Sequence, residues 1–538
     1  MKRKMISLLL TSAMVLSMMS MGVTASAEEE SATDYWSAWE DVDTSEHVVI
    51  NYMTTGDRPT GEAEENLNAM LDELNAILTE KVNAEIEIYY IEWTDYLSNY
   101  NLTLASMDGS VDLVGSSTDW LDAWPNAKNG AFLELSEEML STYAPATWAS
   151  ISDESWEACT YDGDIYFIPE DNYAQWTNHG FSYRLDWARE AGLEDGVNSW
   201  ADMTTYFAYV IEAYGDELLY AWNADGTQYA TMVGGWITSN TNYISIDGIN
   251  TGAMWGGTSD DPYTIYSPYL TETDLLVEFA EMMKEWDEMG VWMTDVLNNT
   301  DLNNRDEFRV GQVAAEQHHT QTWTDLCSAT DSNTIYETDE DAEVGFFYFG
   351  EESGNLVSLS VTHGVMAVSA ASENPERALM VYDLLRNDET CYRLFNYGIE
   401  GVSYEITEDG YKTTPESYDS ETQNIAGMVN FWWGRNDDLE LKNAEYNWDA
   451  IEELYAEYDE IAIPYQYSQY VADIDEISYM IDNISEIHTN YMKQIAYGKY
   501  TGTAEEIVAE YQQALLDAGI EDVTAAIQEQ INETYGLE

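Results

Sequence analysis

The sequence has 538 residues, more than one hydrophobic core normally holds, so we expect at least two lobes. Hydrophobic residues make up 45% of the chain and aromatic residues 13%, which excludes a disordered or low-complexity protein. Its 19 Lys and Arg residues against 102 Asp and Glu residues give a net charge of −83. Nucleic acid and anionic lipid surfaces are poor partners for such a field, and the charge is typical of the solvated surface of an exported protein.

The N-terminus has the three parts of a secretory signal peptide. Residues 1–4 are basic, residues 5–21 form an apolar core, and Ala25-Ser26-Ala27 is a small-residue cleavage site. We therefore expect cleavage after Ala27 and an extracellular location, with residues 28–46 as a flexible acidic leader. No Cys follows the apolar core, so a lipid anchor is not predicted. No later segment reaches the roughly 18 consecutive apolar residues that span a membrane.

The first half of the mature chain alternates strands and helices. Strands are predicted at 47–55, 85–92 and 111–117, with an amphipathic helix ending near Val82 and a second helix at 96–107. This order favours a parallel sheet covered by helices. The cysteines, Cys159, Cys327 and Cys391, are far apart and odd in number, which indicates free thiols.

The second half adds strands and longer helices. A strand is predicted at 181–184, helices begin near Ser199 and Thr271, another strand covers 344–349, and helices run to the end of the chain. The stretch 360–406 contains a late strand–turn–helix unit in which Asn374 and Pro375 begin the helix. Such a late unit has to join a sheet that begins much earlier in the chain.

Four motifs in this order resemble those of the extracellular solute-binding proteins of bacterial ABC importers, in the family of maltodextrin- and alginate-oligosaccharide-binding proteins. The motifs are Tyr161–Pro169 continuing through Tyr183-Arg184-Leu185-Asp186-Trp187, then Phe308–Ala314, the stretch 360–406, and Tyr397–Tyr404 with its Y-G-x-x-G-x-x-Y pattern. Each is weak alone, but their order behind a signal peptide is specific. The resemblance covers essentially the whole mature chain, although the family's usual lipobox cysteine is missing.

The resemblance implies an α/β, two-lobe periplasmic-binding-protein-like fold of type II, with three interlobe crossings and extra C-terminal helices. It places the first lobe at 47–175 plus 361–400 and the second lobe at 176–360 plus 401–538. The crossings are expected near 171–180, 358–364 and 396–404. The lobes of such a protein close on their ligand like a hinged clamp.

Sugar recognition requires aromatic faces for pyranose rings and polar groups for hydroxyls, and open α/β sheets bind ligands where their strands end. Candidate ligand-binding residues follow a strand, lie in a crossing, match the family pattern or are aromatic residues in a Gly-rich loop. They are Asp57, Arg58, Ser117, Asp119, Trp120, Tyr173, Gln175, Trp176, Trp236, Trp255, His319, Trp323, Trp432 and Trp433. For Asp119 the alternative is helix capping, for Arg58 a salt bridge, and for each Trp core packing.

The resemblance implies a secreted, monomeric substrate-binding component that captures an oligosaccharide and delivers it to membrane permease subunits. No metal, cofactor or catalytic residue is predicted, and no nucleotide-binding or hydrolase motif occurs. Because the chain has so many carboxylates, a pair of acids that would suit a glycosidase could be found almost anywhere and does not indicate an enzyme. Alternatives are a secreted carbohydrate-active enzyme, a glycan-binding adhesin, and a peptide or other polar solute as the ligand.

Overall fold

The computed structural model describes residues 34–169, 179–249, 252–300, 304–326, 335–425 and 433–537. Its first part contains, in order, β1 (Val48–Thr55), α1 (Glu62–Val82), β2 (Ala84–Ile91), α2 (Tyr96–Ser106), β3 (Leu113–Ser116), α3 (Ala123–Lys128), α4 (Glu137–Tyr143), α5 (Pro145–Ser150), α6 (Asp153–Ala158), β4 (Thr160–Tyr161), β5 (Asp164–Ile165) and β6 (Ile168–Pro169).

The middle of the chain contains β7 (His179–Arg184), α7 (Leu185–Glu190), α8 (Trp200–Tyr214), β8 (Tyr220–Trp222), α9 (Tyr229–Asn240), β9 (Tyr243–Ser245), β10 (Gly256–Thr258), α10 (Pro268–Thr271), α11 (Thr273–Met289), α12 (Asn304–Arg309), β11 (Val313–His319), α13 (Thr320–Leu326), α14 (Ile335–Thr338), β12 (Val344–Tyr348) and β13 (Leu356–Val357).

The last part contains β14 (Val365–Val368), α15 (Pro375–Asn387), α16 (Glu389–Tyr397), β15 (Glu405–Ile406), β16 (Lys412–Thr413), α17 (Ser420–Gln423), α18 (Trp448–Ile461), β17 (Ala462–Ile463), α19 (Ser478–Ala496), α20 (Ala504–Asp517) and α21 (Ile520–Thr534). Short 3₁₀ turns lie at Tyr35–Trp39 and Val296–Asn298.

The first sheet has the strand order β2-β1-β3-β14-β6. Strands β1, β2 and β3 are parallel, so Thr55, Ile91 and Ser116 end at one edge. The late strand β14 joins them antiparallel, with Val365 opposite both Ser116 and Pro169. The expected return of the 360–406 stretch to the first sheet is therefore confirmed. Helix α15 buries Leu379 and its neighbours in the core of this lobe.

The second sheet has the order β12-β7-β11-β8, with β7 antiparallel to both of its neighbours and β11 parallel to β8. Its core also takes in apolar side chains from the C-terminal helices α19, α20 and α21. The alternation of the predicted strands and the apolar stripes of the helices thus produce two main sheets, each with its own core.

Local signals fix several helix ends. The Ser199 hydroxyl accepts a hydrogen bond from the Asp202 N–H, and Thr503 forms a full capping box with Glu506. Gly290 ends α11 at φ +81°, a conformation that suits glycine. Asn374 occupies the N-cap position before Pro375, but its side chain makes no capping hydrogen bond.

Residues 34–46, which the sequence predicts as part of a flexible leader, contact the first lobe in the structure. The Trp36 indole N–H donates to Asp383 Oδ2 at 2.9 Å, and Arg377 donates to the carbonyls of Asp43 and Glu46 at 3.2 and 3.3 Å. Trp39 packs against the same core. Buried Asp383 needs hydrogen-bond donors, and the leader supplies one of them. The signal-peptide residues lie outside the described part.

The chain returns to the second lobe later than expected. Ile425 and Trp433 pack in the first core, and the Asn436 side-chain amide donates to the Arg386 carbonyl at 3.2 Å. The Tyr397–Tyr404 motif instead makes a tight local turn, closed by the Gly401 N–H donating to the Tyr404 carbonyl at 2.7 Å. The third crossing therefore follows Asn436 and is not at 396–404. The first expected crossing lies largely outside the described residues.

Cys391 is a buried free thiol, as predicted, Cys159 is also buried, and Cys327 lies outside the described residues. Burial raises the pKa of the Cys391 thiol, which keeps it protonated. Among the described residues, no helix combines the length and apolarity needed to span a membrane.

Candidate ligand-binding site

The loop after β3 forms the centre of the candidate site. Asp119 receives a hydrogen bond from the Ser117 hydroxyl and pairs with Nδ1 of His363 at 2.9 Å. Thr118 donates its N–H to the Thr362 carbonyl at 3.1 Å. Because Val365 pairs with Ser116, the second crossing brings Thr362 and His363 beside this loop. Two predicted ligand residues, Ser117 and Asp119, are thus held together at the carboxyl edge of the sheet.

The charge of Asp119 is stabilised by its neighbours. Burial alone would raise the pKa of this carboxyl, but the positive charge and hydrogen bond of His363, with the hydrogen bond from Ser117, hold the pKa below its usual value. Asp119 is therefore an ionised acceptor at neutral pH, able to receive hydrogen bonds from ligand hydroxyls.

Stacked aromatic rings extend from this loop to the surface. Trp120 stacks on Trp433 with ring centroids 6.5 Å apart and on Trp93 at 6.1 Å, at interplanar angles of 26° and 27°. Tyr96 packs against both Trp93 and Trp120. Trp433 is fully buried, Trp120 is half-buried and Trp93 is 44% exposed. The stack therefore carries a rigid aromatic surface from the core to the sheet edge.

Trp433 is fixed by a close approach to the sheet. Its indole N–H donates to the Ser116 carbonyl at 2.9 Å, and Tyr382 donates its hydroxyl to the Trp433 carbonyl. A Cβ atom at Gly115 would lie 2.5 Å from the Trp433 ring, so only glycine leaves room for it. Trp433 thus supports Trp120 from below, rather than facing the ligand itself.

Asp57 and Arg58 line a cleft of about 590 Å³ at the end of β1, together with residues of the α1 start, Thr422 and Asn424. Arg58 lies 3.5 Å from Glu64, and both side chains are about half exposed. Asp57 accepts a hydrogen bond from the Trp93 backbone N–H at 3.2 Å. Arg58 therefore forms a salt bridge, which was the alternative to a role in ligand binding. The pair is exposed, so Arg58 can reorient at little cost in free energy.

The second lobe reaches this site through the loop after β9. The Asp247 N–H donates to the Tyr465 hydroxyl at 2.8 Å, and a Cβ at Gly248 would lie 3.5 Å from the Thr118 carbonyl oxygen. Burial, followed by the nearby charge of Asp119, raises the pKa of Asp247 to about 7. The lobes therefore meet where Asp119 faces Asp247.

The second sheet presents histidines at the edge where its chain arrives from the first lobe. His319, a predicted ligand residue, ends β11 opposite His179 at the start of β7. His318 precedes it, and all three rings are half-buried. The residues that the structure describes contain no group of three or more His, Cys, Asp or Glu side chains arranged to hold a metal ion.

Three predicted tryptophans prove to be packing residues. Trp236 and Trp255 lie in the core of the second lobe, where their indole N–H groups donate to the Leu275 carbonyl and the Thr524 hydroxyl. Trp323 is 5% exposed and stacks on Phe346. Their rings are covered by protein, so we remove them from the site. Tyr173, Gln175, Trp176 and Trp432 lie outside the described residues.

Sequence reasoning missed Trp93, His363 and Asp247 as site residues. Trp93 directly follows the end of β2, and the rule that ligands bind where parallel strands end could have found it. Asp247 gave no such signal, because only the packing of one lobe on the other brings it to Asp119.

Comparison with solved structures identifies this architecture. Two crystal structures of the N-glycan transport solute binding protein from Streptococcus pneumoniae match it with TM-scores of 0.69 and 0.65. They are 17% and 18% identical and cover 90% of this chain and 98% and 99% of theirs. The second of these contains Man1GlcNAc. An extracellular solute-binding protein from Bifidobacterium longum subsp. infantis matches at a TM-score of 0.61 and 13% identity, covering 91% of this chain and 99% of that one.

This chain has the fold of the extracellular solute-binding proteins. The predicted type II architecture and the predicted resemblance are thereby confirmed.

The sequence comparisons match shorter parts of the chain than the structural comparisons do. A carbohydrate ABC transporter substrate-binding protein of Streptococcus pneumoniae serotype 4 is 24% identical over 181 residues, which are 33% of this chain and 34% of that protein. The sequence match thus covers about a third of the length of this curated relative. Residues 466–535, with the three terminal helices, match the family DUF3502, described as a domain of unknown function.

Proposed function

We propose that this protein is the secreted substrate-binding component of an ABC importer that captures a carbohydrate. The observation that carries the proposal is the stack of Trp93, Trp120 and Trp433, which ends at the sheet edge where the two lobes meet. The descriptions of the pneumococcal relative and of the N-glycan transport protein, both carbohydrate transporter components, support it.

The arrangement suits a sugar. The apolar face of a pyranose ring stacks on the exposed ring of Trp93, which Trp120 supports from behind, while ionised Asp119 accepts hydrogen bonds from hydroxyls. Ser117 lies beside Asp119, and Asp57 and Arg58 lie at the end of β1, where they can add polar contacts. His319 remains a candidate because it ends β11. Tyr173, Gln175, Trp176 and Trp432 remain candidates on sequence grounds alone.

Closure of the lobes is the proposed mechanism, and no bond in the ligand is broken. A ligand that contacts both edges shifts an open–closed equilibrium, because it gains contacts in the closed state that the open state lacks. The loop at Asp247, which already meets Thr118, provides the second-lobe surface for this contact. We place the first lobe at 34–169 with 361–436 and the second lobe at 179–360 with 446–537. We also propose that the chain is exported and cleaved after Ala27, that it is a monomer, and that it delivers its ligand to permease subunits.

A glycan array probed with the mature chain, residues 28–538, tests the proposal. We expect binding to a defined set of oligosaccharides, confirmed by a 1:1 stoichiometry in titration calorimetry. A chain that binds only peptides, or none of the glycans, would overturn the proposal.

Turnover provides the second arm of this test. Each bound oligosaccharide is incubated with the protein and assayed for new reducing ends. We expect none, whereas steady release of reducing ends would establish the carbohydrate-active enzyme alternative. Copurification of the protein with permease subunits from the native membrane would separate an importer component from an adhesin, which makes no such complex.

A further inference from the structure

The second crossing is anchored to both lobes by hydrogen bonds at its two ends. At its start, the Ser358 N–H donates to the Ile463 carbonyl of the second lobe at 2.9 Å. The preceding strand β13 pairs with β17, which ends at Ile463. At its other end, Val365 pairs with Ser116 in the first sheet. Residues 359–364 therefore span from one lobe to the other, and a movement of the lobes has to change their backbone.

The first lobe holds this crossing through the loop that carries Asp119. Thr118 donates both its N–H and its hydroxyl to the Thr362 carbonyl, each at 3.1 Å. Nδ1 of His363 lies 2.9 Å from Asp119 Oδ2. The crossing itself is folded into a turn, in which the His363 N–H donates to the Ser360 carbonyl at 2.9 Å. The Asp119 carboxyl is therefore tied to the crossing through the His363 ring.

The second lobe ties another carboxyl residue to the same crossing. Tyr465 follows the end of β17 closely, and its hydroxyl accepts a hydrogen bond from the Asp247 N–H at 2.8 Å. The loop of Asp247 also reaches the first lobe, because a Cβ atom at Gly248 would lie 3.5 Å from the Thr118 carbonyl oxygen. Asp247 and Asp119 directly adjoin these two contacting residues in sequence. Each lobe therefore contributes one carboxyl group to the contact beside the crossing, and we call the two groups the interlobe carboxyl pair.

The charged and titratable groups around Asp247 come from three elements. Asp119 lies in the loop after β3, His363 lies in the second crossing, and Tyr465 follows β17. Strand β10, which pairs with the strand before Asp247, consists of Gly256–Thr258 and carries no charged side chain. Burial first, then the charge of Asp119, raises the pKa of Asp247 to about 7, against the smaller opposing effects of Tyr465 and His363.

Contact between the lobes carries an electrostatic cost at this pair. Asp119 and Asp247 are both half-buried where the lobes meet, and two carboxylates that share such a place repel each other when both are ionised. When the lobes separate at Gly248 and Thr118, water reaches Asp247 and the charge of Asp119 moves away. The repulsion is therefore present in the closed arrangement and relieved in the open one.

We propose that the interlobe carboxyl pair is a charge-operated latch on the second crossing. The ionised pair favours open lobes in the free protein. A proton on Asp247, or a ligand hydroxyl that donates to either carboxylate, relieves the repulsion and lets the lobes close. His363 and Tyr465 are its positioning residues, because each of them ties one residue of the pair to the crossing. The ligand-dependent part rests on the proposed function, whereas the proton-dependent part concerns the protein alone.

Closure of the free protein then depends on pH. In the open arrangement Asp247 has the usual aspartate pKa of about 3.9, whereas in the closed arrangement its pKa is about 7. The closed state binds this proton more tightly, so the closed-to-open ratio rises as the pH falls below about 7 and levels off near pH 4. Between pH 8 and pH 5 this linkage raises the ratio roughly a hundredfold.

Small-angle X-ray scattering of the ligand-free mature chain, at pH values from 5 to 8, tests the latch. We expect the radius of gyration of the wild-type chain to be larger at pH 8 than at pH 5. Asp247→Asn has no charge to lose at this position, so we expect it to have the smaller radius at both pH values. Saturation of the wild-type chain at pH 8 with a neutral glycan identified on the array should reduce its radius to the value at pH 5.

Two further variants separate the latch from a general effect of charge. Asp260→Asn is the matched control, because Asp260 lies just after β10 on the same side of the chain's second lobe but is exposed and bonded to Asn242 at 2.9 Å. It should keep the pH dependence of the wild-type chain. His363→Gln keeps an N–H donor but removes the positive charge that opposes the shift at Asp247, so the midpoint of closure should move to higher pH. A purely structural role of His363 would not move this midpoint.

The outcomes for the latch and for the proposed function are distinct. An equal radius of gyration at pH 5 and pH 8 in the ligand-free wild-type chain, or an equal pH dependence in Asp247→Asn, overturns the latch and leaves the carbohydrate-binding proposal standing. Closure at low pH in a chain that binds no glycan overturns the proposed function and leaves the proton-dependent latch standing. Thermal melting verifies that each variant is folded, and the first comparison uses the wild-type chain alone, so misfolding of a variant does not affect it.

Discussion

Replacing Trp93 by alanine tests the aromatic surface most sharply. Trp93 is 44% exposed at the end of its stack. If a fully covered Trp buries about 250 Å², roughly 110 Å² of Trp93 is accessible, and a sugar on one face covers about half of it. At about 25 cal/mol per Å², this contact contributes roughly 1.4 kcal/mol, or about a tenfold change in Kd. We therefore expect Trp93→Ala to weaken glycan binding about tenfold.

Titration calorimetry with the best glycan from the array measures this loss. Trp148→Ala is the matched control, since Trp148 is also half-buried and packs against a second Trp, but it lies on α5. Both variants are checked for an unchanged fold by circular dichroism. Unchanged affinity in Trp93→Ala, or an equal loss in Trp148→Ala, would refute the assignment of the stack as the sugar platform.

Three further predictions concern the supports of the site. Gly115→Ala places a methyl group 2.5 Å from the Trp433 ring, so we expect a lower melting temperature and weaker glycan binding together; a variant that keeps both would contradict the packing. Asp247 has a pKa raised to about 7, so the folded state binds its proton more tightly, and stability falls as the pH rises from about 4 to 7. Asp247→Asn should then melt at a higher temperature than wild type at pH 8 and lose this advantage at pH 4, and equal differences at both pH values would argue against it. Trp36→Phe removes the 2.9 Å donor to buried Asp383, and chemical denaturation should show a loss of about 1–2 kcal/mol; no loss would mean that the leader does not hold the lobe.

The strand and helix patterns predicted the architecture well because each element buries one periodic face. The late position of strand β14 in the chain predicts that it joins the first sheet, and its pairing with β3 agrees. The sequence pattern of Arg184 with Asp186 and Trp187 reflects local contacts, since Arg184 donates hydrogen bonds to Asp186 and packs over the Trp187 ring. Periodicity therefore explains the layers and the short-range motifs.

The site was harder to predict, because it depends on which lobe a segment joins and on which face of a ring is covered. The segment around Trp433 has no helical or strand period, so nothing in it indicated the first lobe. Trp236 and Trp255 come from Gly- and Asn-rich stretches that resemble exposed loops, yet their rings fill the second core. His179 and His319 are far apart in sequence and meet only through antiparallel pairing.

The central claim is that the lobes close on a glycan and release it unchanged. Small-angle X-ray scattering of the full mature chain, with and without saturating glycan, followed by mass spectrometry of the recovered glycan, tests it most directly. We predict a smaller radius of gyration in the complex and a glycan of unchanged mass. A bound glycan with no change in the radius of gyration, or a glycan recovered as shorter fragments, would contradict the account.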